Sequence, residues 1–423
     1  MIVGISIALV FVLIIIGVPI AFALGSAGIL LALYAGIPVI SLAQNIFASV
    51  DVFAYLALPM FFLAGTFMEY GGISRRLIKF SNALVGHFYG GLGMICALAG
   101  MFMGAISGSG VAATAALGGI TIPEMARKGY SKGFAATIMA SAGSLGVIIP
   151  PSLPMIILST LIGVSVAELF VAGILPGIMI GIVLMLVSFV YAKVAGIPRE
   201  KKTTLKEGMD AFKGSIVALI APLIIFFGVA GGVFTITESA GIMALYCFLV
   251  GKFYYKEFTM KEIPQMLMST VSVAASVLMV IAFSSILSWF IVAYDVPANL
   301  SAAMPAGMNK IIFLITINIM FLILGTFIDM IPNLVITMPV LFPLAMAFGI
   351  DPVHFGIIAI VNLAIGLVTP PVGTCLFVAS GIANVNQKET YKYALPVCGL
   401  MIICLLIVTF VPSVSLFLVS FIR

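Results

Sequence analysis

The chain has 423 residues, of which 63% are hydrophobic and 8% charged, with a formal net charge of +5. Soluble globular domains carry roughly 25% charged residues, so this composition excludes a soluble enzyme or binding module and leaves no soluble domain over. A positive balance can also mark nucleic-acid binding. Here, however, the basic residues sit in short stretches between apolar runs, where membrane orientation accounts for them and a nucleic-acid partner is not indicated.

A helix needs ~20 residues to cross a ~30 Å hydrocarbon core, and the pattern predicts such spans near 2–24, 26–40 and 51–70, with Asp51 the first charged residue. Ala21-Phe22-Ala23 has the look of a small-residue cleavage site. No positive residue precedes it and its apolar run exceeds the usual ~7–15 residues, so 2–24 reads as a retained span. A basic stretch (Arg75, Arg76, Lys79), a segment near 91–124 and a second basic loop (Arg127, Lys128, Lys132) follow. A span near 134–163, broken at Pro150-Pro151, and a long span near 165–192 complete this part. Residues 193–213 are the longest polar segment and read as a cytoplasmic linker. Beyond it lie spans near 215–233, 238–251 and 264–294, a segment near 311–346, a span near 355–384 broken at Pro370-Pro371, and a last span near 394–420. Cys96, Cys247, Cys375, Cys398 and Cys404 fall in apolar segments without metal-site spacing and read as small packing residues.

The two parts match element for element. At one constant offset Pro123 falls on Pro343, Gly146 on Gly366, Pro150-Pro151 on Pro370-Pro371 and Pro176 on Pro396. Residues 1–192 and 214–423 are therefore expected to be two copies of one unit. If 91–124 and 311–346 each enter and leave on the same side, every Lys and Arg except Lys310 and Arg423 lies on one face, as the positive-inside rule prefers. The expected fold is an all-α polytopic membrane protein: an inverted repeat with two re-entrant helical hairpins and two broken helices.

The first hairpin carries GAISGSGVAATAALGG (Gly104 to Gly119), turning at Ser107-Gly108-Ser109-Gly110; the second carries LGTFIDMIPNLVITMP (Leu324 to Pro339), turning near Asp329 to Asn333. Glycine permits the tight turn, and serine, asparagine and aspartate supply oxygen. Each proline pair deletes a backbone donor, so the carbonyls of residues 146–149 and 366–369 are freed. Such groups survive at membrane depth only when buried in protein or lining a polar cavity, and a hard cation can satisfy them while helix N-termini face an anion. Asp329, a carboxylate in an apolar segment, is the sharpest single candidate, against a reading as a turn cap or an exposed cavity residue. Glu238 reads equally as a partner contact or a solvated loop residue, and His354 as a loop residue beside Asp351.

ALPMFFLAGTFME (Ala57 to Glu69), GAISGSGVAATAA (Gly104 to Ala116), GVIIPPS (Gly146 to Ser152), LGTFIDMIPN (Leu324 to Asn333) and GLVTPPVG (Gly366 to Gly373) together resemble the large membrane subunit of tripartite ATP-independent periplasmic (TRAP) transporters, along essentially the whole chain. The resemblance implies an elevator-type secondary transporter, related in architecture to the ion transporter superfamily. It implies two or more co-transported Na⁺ ions that drive import of an organic anion such as a C4-dicarboxylate, sialic acid or a related acid. It also implies a multi-pass protein of the bacterial inner membrane, a periplasmic solute-binding protein, and a small four-helix subunit. That subunit is expected on a separate chain, since the large-subunit pattern starts at Met1. One sodium site would use Ser107, Gly108, Gly146, Val147 and Pro150, and a second Gly325, Gly366, Thr369 and Val372. Substrate would lie within reach of Ser107, Ser109, Ser152, Asp329 and Asn333. The alternatives are a stand-alone sodium-coupled carboxylate carrier, a channel, and an intramembrane aspartyl protease. The last lacks a symmetric second acid, because Ser109 stands at the position matching Asp329.

Overall fold

A computed structural model of the protein describes residues 2–199, 204–303 and 307–423. It is all helical, without strands among the described residues, and eight of its helices are long and apolar enough to cross a membrane. The α-helices of the first half are α1 (Ile2–Ile15), α2 (Ile20–Tyr34), α3 (Val39–Val50), α4 (Ala57–Tyr70), α5 (Ile73–Val85), α6 (Gly91–Ser107), α7 (Gly110–Arg127), α8 (Lys132–Ser144), α9 (Leu153–Ile162) and α10 (Val166–Val194). The second half has α11 (Leu205–Ala230), α12 (Ile236–Leu249), α13 (Ile263–Ala293), α14 (Val296–Ala303), α15 (Lys310–Phe327), α16 (Met330–Ala347), α17 (Pro352–Gly366), α18 (Thr374–Ala383), α19 (Gln387–Phe410) and α20 (Ser413–Leu416).

The start differs from expectation. Instead of spans at 2–24 and 26–40 there are three short helices, because Gly17 and Gly36 take left-handed backbone at φ +92° and +70°, and Pro19 and Pro38 follow within two residues. Glycine accepts that conformation and proline cannot continue the preceding helix, so each pair is a stop signal that hydropathy alone overlooks. The linker is also shorter than 193–213. α10 runs on to Val194, and α11 begins at Leu205 behind a capping box in which Thr204 and Glu207 satisfy each other's backbone donors. Residues 200–203 of that linker lie outside the described residues. Two further loop readings give way to helix. Glu238 closes the same kind of box with Thr235 at the head of α12. His354 is buried in the first turn of α17, with Nδ1 2.7 Å from Ser415 Oγ.

The basic stretch after α4 is helix α5. Ile73, Leu77 and Ser81 recur at four-residue spacing and are buried against neighbouring helices, while Arg75 points outward to Glu257 at 2.9 Å. The offset that carries Gly146 onto Gly366 carries α5 onto α14, so this lateral helix is part of the repeat.

The halves exchange partners. α2 packs on α13 and α12 on α4; α9 packs on α16 and α18 on α7 and α8. Each contact has its counterpart under the same offset, as two interlocked copies require. At the centre stand α8 and α17, in which every residue from Gly133 to Ser144 and from Val353 to Gly366 is buried. The first limbs of the interrupted helices are thus enclosed by protein, one of the two settings in which open backbone is tolerated at membrane depth.

Candidate functional site

Two residues separate α6 from α7 and two separate α15 from α16. Gly108 takes φ +60° and Ser109 is extended; Ile328 and Asp329 are both extended. The first helix of each pair then meets an interrupted helix at bare backbone. A methyl group on Gly366 would lie 2.7 Å from Gly325 Cα and 2.8 Å from its carbonyl oxygen. One on Gly146 would lie 3.1 Å from Gly104 Cα, and one on Gly104 would strike the Gly146 backbone. Glycine is required at these crossings because no side chain fits between the main chains.

Past each crossing the chain unwinds through Pro150-Pro151 and Pro370-Pro371, both cis. Part of the freed backbone is recaptured locally. The Val147 carbonyl accepts from Ser152 Oγ at 2.7 Å, and the equivalent Leu367 carbonyl accepts from the Cys375 and Leu376 amides at 3.0 and 3.4 Å. Gly366 O accepts from Thr369 N at 3.1 Å. The next two carbonyls of each break, Ile148 and Ile149 in one and Val368 and Thr369 in the other, receive no hydrogen bond among the described residues. The expected run of four free oxygens is therefore narrowed to two in the second break and to three in the first, where Gly146 O also receives no hydrogen bond among the described residues. Hard oxygen donors without soft ligands suit an alkali or alkaline-earth cation.

Between the tips lies a cavity of about 580 Å³. Four helix N-termini reach it: α7 at Gly110 and Val111, α9 at Leu153, α16 at Met330 and α18 at Thr374. Each brings the positive end of a helix dipole, set against Asp329, the charged residue at the cavity; Gly110, Val111 and Thr374 have amides without acceptors among the described residues, whereas in α9 Leu153 N donates to Gly108 O, Met155 N to Ser152 Oγ and Pro154 has no N–H. Phe62 of α4 and Val273 and Val277 of α13 form the facing wall.

Of the residues singled out in the sequence, Gly108, Ser109, Val147, Asp329 and Val372 line this cavity. Ser107 and Ser152 are buried behind it: Ser107 Oγ donates to Ser109 O at 3.2 Å, and Ser152 caps α9. Gly146, Pro150, Gly325, Gly366 and Thr369 shape the crossings and breaks, with Thr369 Oγ1 donating to Ile365 O at 2.8 Å. Asn333 is the exception, since it lines a separate cavity beside α1 and is absent from this one. Asp329 holds the non-helical position ahead of α16, so the helical phase that points Asn333 does not extend to it.

The sequence reading missed Thr374, whose hydroxyl donates to Asp329 Oδ1 at 3.4 Å. Its equivalent under the offset is Pro154, also at the cavity, so the repeat carried that signal. It also missed Tyr391 and Gln387, which donate to the Pro371 and Val372 carbonyls from the start of α19. A partner only nearby in space leaves no trace in spacing.

Comparison with known proteins bears on this arrangement. Residues 7–414 match the family described as "Tripartite ATP-independent periplasmic transporter, DctM component". The chain is 40% identical to the isethionate TRAP transporter permease protein DctMQ of Oleidesulfovibrio alaskensis, over 95% of its own length and 64% of that protein's. It is 38% identical to the C4-dicarboxylate TRAP transporter large permease protein DctM of Vibrio cholerae, over 98% of this chain and 97% of that one. In fold it resembles the Alcanivorax borkumensis YdaH transporter, with a TM-score of 0.58 at 15% identity, covering 89% of this chain and 88% of the other.

Proposed function

The chain belongs to the DctM-component family of TRAP transporters, whose members are transporter permeases and not enzymes, and from that premise we propose that it couples sodium entry to import of an organic anion. The observation that carries this reading is the convergence of four helix N-termini on one cavity flanked by two equivalent pairs of unpartnered carbonyls. The relatives named for isethionate and for a C4-dicarboxylate share one chemistry, a small organic anion, and the helix N-termini at the cavity turn the positive ends of their dipoles toward such a guest.

In this proposal Na⁺ is cargo. One ion is held where Gly146, Val147 and Pro150 meet the Ser107–Ser109 turn, with Ile148 and Ile149 adding free oxygen. A second is held where Gly366, Thr369 and Val372 meet Gly325, with Val368 beside them. A cation at either place presses a helix pair against an interrupted helix and sets positive charge beside the anion. Ion and anion then strengthen each other's binding, and that coupling is reciprocal. Ser109 and Asp329 touch the substrate; Thr374 holds the Asp329 carboxylate, which accepts hydroxyl or amide groups of the cargo. The α6–α7 and α15–α16 pairs act as re-entrant hairpins that move with α8, α9, α17 and α18 against a scaffold including α4 and α13, an elevator motion in the bacterial inner membrane. A periplasmic binding protein delivers the anion, and a small membrane subunit completes the permease.

The test is reconstitution of the full chain with and without the proposed small subunit and binding protein. Uptake of labelled isethionate and succinate is expected only under an inward sodium gradient and only with the binding protein present. Equal uptake in potassium would overturn the coupling, and uptake by the chain alone would favour the stand-alone carrier.

A further inference from the structure

The second break opens to solvent and the first does not. Pro151 and Ser152 are buried, whereas their equivalents Pro371 and Val372 are exposed. Two side chains at the start of α19 reach this opening: Gln387 Nε2 donates to the Val372 carbonyl, and Tyr391 OH donates to the Pro371 carbonyl at 2.9 Å. Both donors are themselves partly exposed. Under the repeat offset they match Ala167 and Val171 of α10, which have no side-chain donor, so the first break has no such fastening. On the opposite edge of the same turn, Gly373 N donates to Thr326 O near the end of α15 at 3.4 Å, and Val372 lines the anion cavity. Residues 371–373 thus form a strap held by the α15–α16 pair on one edge and by α19 on the other.

On the reading above, on which this inference rests, Val372 is part of the second sodium site. A carbonyl oxygen that accepts from an N–H has the positive end of that bond beside it, so it is a poorer ligand for a cation than a free carbonyl. We propose that Gln387 competes with the second sodium ion for the Val372 carbonyl: its amide is a latch that opens as the ion binds and closes as the ion leaves, while Tyr391 steadies the turn. Lys388 and Lys392 place this end of α19 on the cytoplasmic face by the positive-inside rule, so the latch works from the side on which the ion is released. It weakens the second ion and speeds its departure. The first ion, behind a buried break without a latch, leaves later. A donor that merely braced the turn would act in the opposite direction, since its loss would loosen the site and weaken the ion.

The test uses the complete permease in lipid nanodiscs, with the unfolding temperature followed as sodium replaces potassium and no anion is present. In Gln387→Leu, which removes the donor, the sodium concentration giving half of the stabilisation is expected to fall about fivefold, the loss of one competing hydrogen bond of about 1 kcal/mol. Gln387→Glu keeps the length of the side chain and sets a negative acceptor where the donor stood, so a larger fall is expected; this variant decides the outcome if the leucine variant does not fold. In proteoliposomes half-saturation by sodium should fall likewise while the maximal uptake rate drops, because release is slower. A half-effect concentration that is unchanged or raised in the folded variants overturns the latch and leaves Gln387 as a brace of the turn. Absence of any sodium-dependent stabilisation in the unsubstituted chain strikes the sodium reading itself, a failure visible before any substitution is made.

Discussion

The two interrupted helices break at equivalent cis proline pairs and are closed by different chemistry. In the first break a single hydroxyl, Ser152 Oγ, holds the Val147 carbonyl. In the second, the equivalent Leu367 carbonyl is held by two amides at the start of α18, and Tyr391 and Gln387 fasten the following turn from α19. The position matching Ser152 is Val372, which has no hydroxyl to offer. Symmetry is thus kept where main chain meets main chain and lost where side chains finish the work. Glycines and prolines coincide at positions related by the offset, while the hydrogen bonding around them differs.

The glycine crossings provide the harshest test of that statement. Gly366→Ala places a methyl group against the Gly325 backbone at 2.7 Å, where no rotamer change relieves it. A cost of about 3 kcal/mol is expected, with loss of sodium-driven uptake by at least about tenfold. Gly146→Ala, with its nearest backbone contact at 3.1 Å, should cost less. Thermal unfolding and uptake measured on both variants decide the order, and the reverse order would contradict the geometry.

Removing the hydroxyls separates the breaks. Ser152→Ala leaves the buried Val147 carbonyl without a donor, an expected cost of about 1–3 kcal/mol. If about 1.4 kcal/mol of that falls on the sodium-bound state, half-saturation by sodium rises about tenfold. Val372→Ser, the reciprocal change, should stay within about 0.5 kcal/mol, because residue 372 is 40% exposed and its neighbour carbonyl is already satisfied. Matching effects at the two positions would show that the breaks are closed alike after all. Thr369→Ala is milder than Ser152→Ala: the Ile365 carbonyl that loses its hydroxyl keeps the Val368 amide at 3.0 Å. About 0.5–1 kcal/mol is expected, weakening sodium-dependent uptake more than insertion into the membrane. Sodium titrations of uptake, with the inserted protein quantified, check this.

The same contrast explains what the sequence disclosed. Proline pairs and glycines punctuate a helix through local sterics, so both breaks and the first turn stand where the sequence places them; the second turn lies at Ile328-Asp329, before the expected 329–333, because Pro332 and Asn333 sit inside the first turn of α16. Residues 2–50 were misdivided because no charge anchors them and their Gly and Pro stop signals sit inside continuous hydropathy. Helix α5 was hidden under its arginines, since amphipathic helices at an interface and basic loops have similar composition. Asn333 was misplaced because its direction depends on helical phase starting after an extended residue. Thr374 was missed although Pro154 marked its place, and Gln387 and Tyr391 because only the fold brings them to the break.

The smallest expected effect concerns how the first limb of each interrupted helix begins. Under the repeat offset Ser131, which caps α8, matches Asp351, which caps α17. Serine does not titrate, whereas Asp351 also pairs with Arg423 at 2.9 Å. Partial burial pushes its carboxyl up, but the Arg423 guanidinium and the Val353 and His354 amides outweigh this and hold it below the usual carboxylate range. A lowered folded pKa means that the stabilisation is complete above the unfolded value of about 4 and is lost as pH falls through the folded one. Because Arg423 is 42% exposed, screening limits the ion-pair part to about 0.5 kcal/mol. Acid should therefore loosen α17 before α8, visible as faster amide exchange at Val353 and His354 than at Phe134. Asp351→Asn keeps a capping oxygen and gives up the charge, so it should remove that pH dependence while leaving most of the cap in place. Acid-induced exchange that is equal in the two limbs, or unchanged in Asp351→Asn, would mean that the Asp351–Arg423 pair contributes nothing measurable to the start of α17.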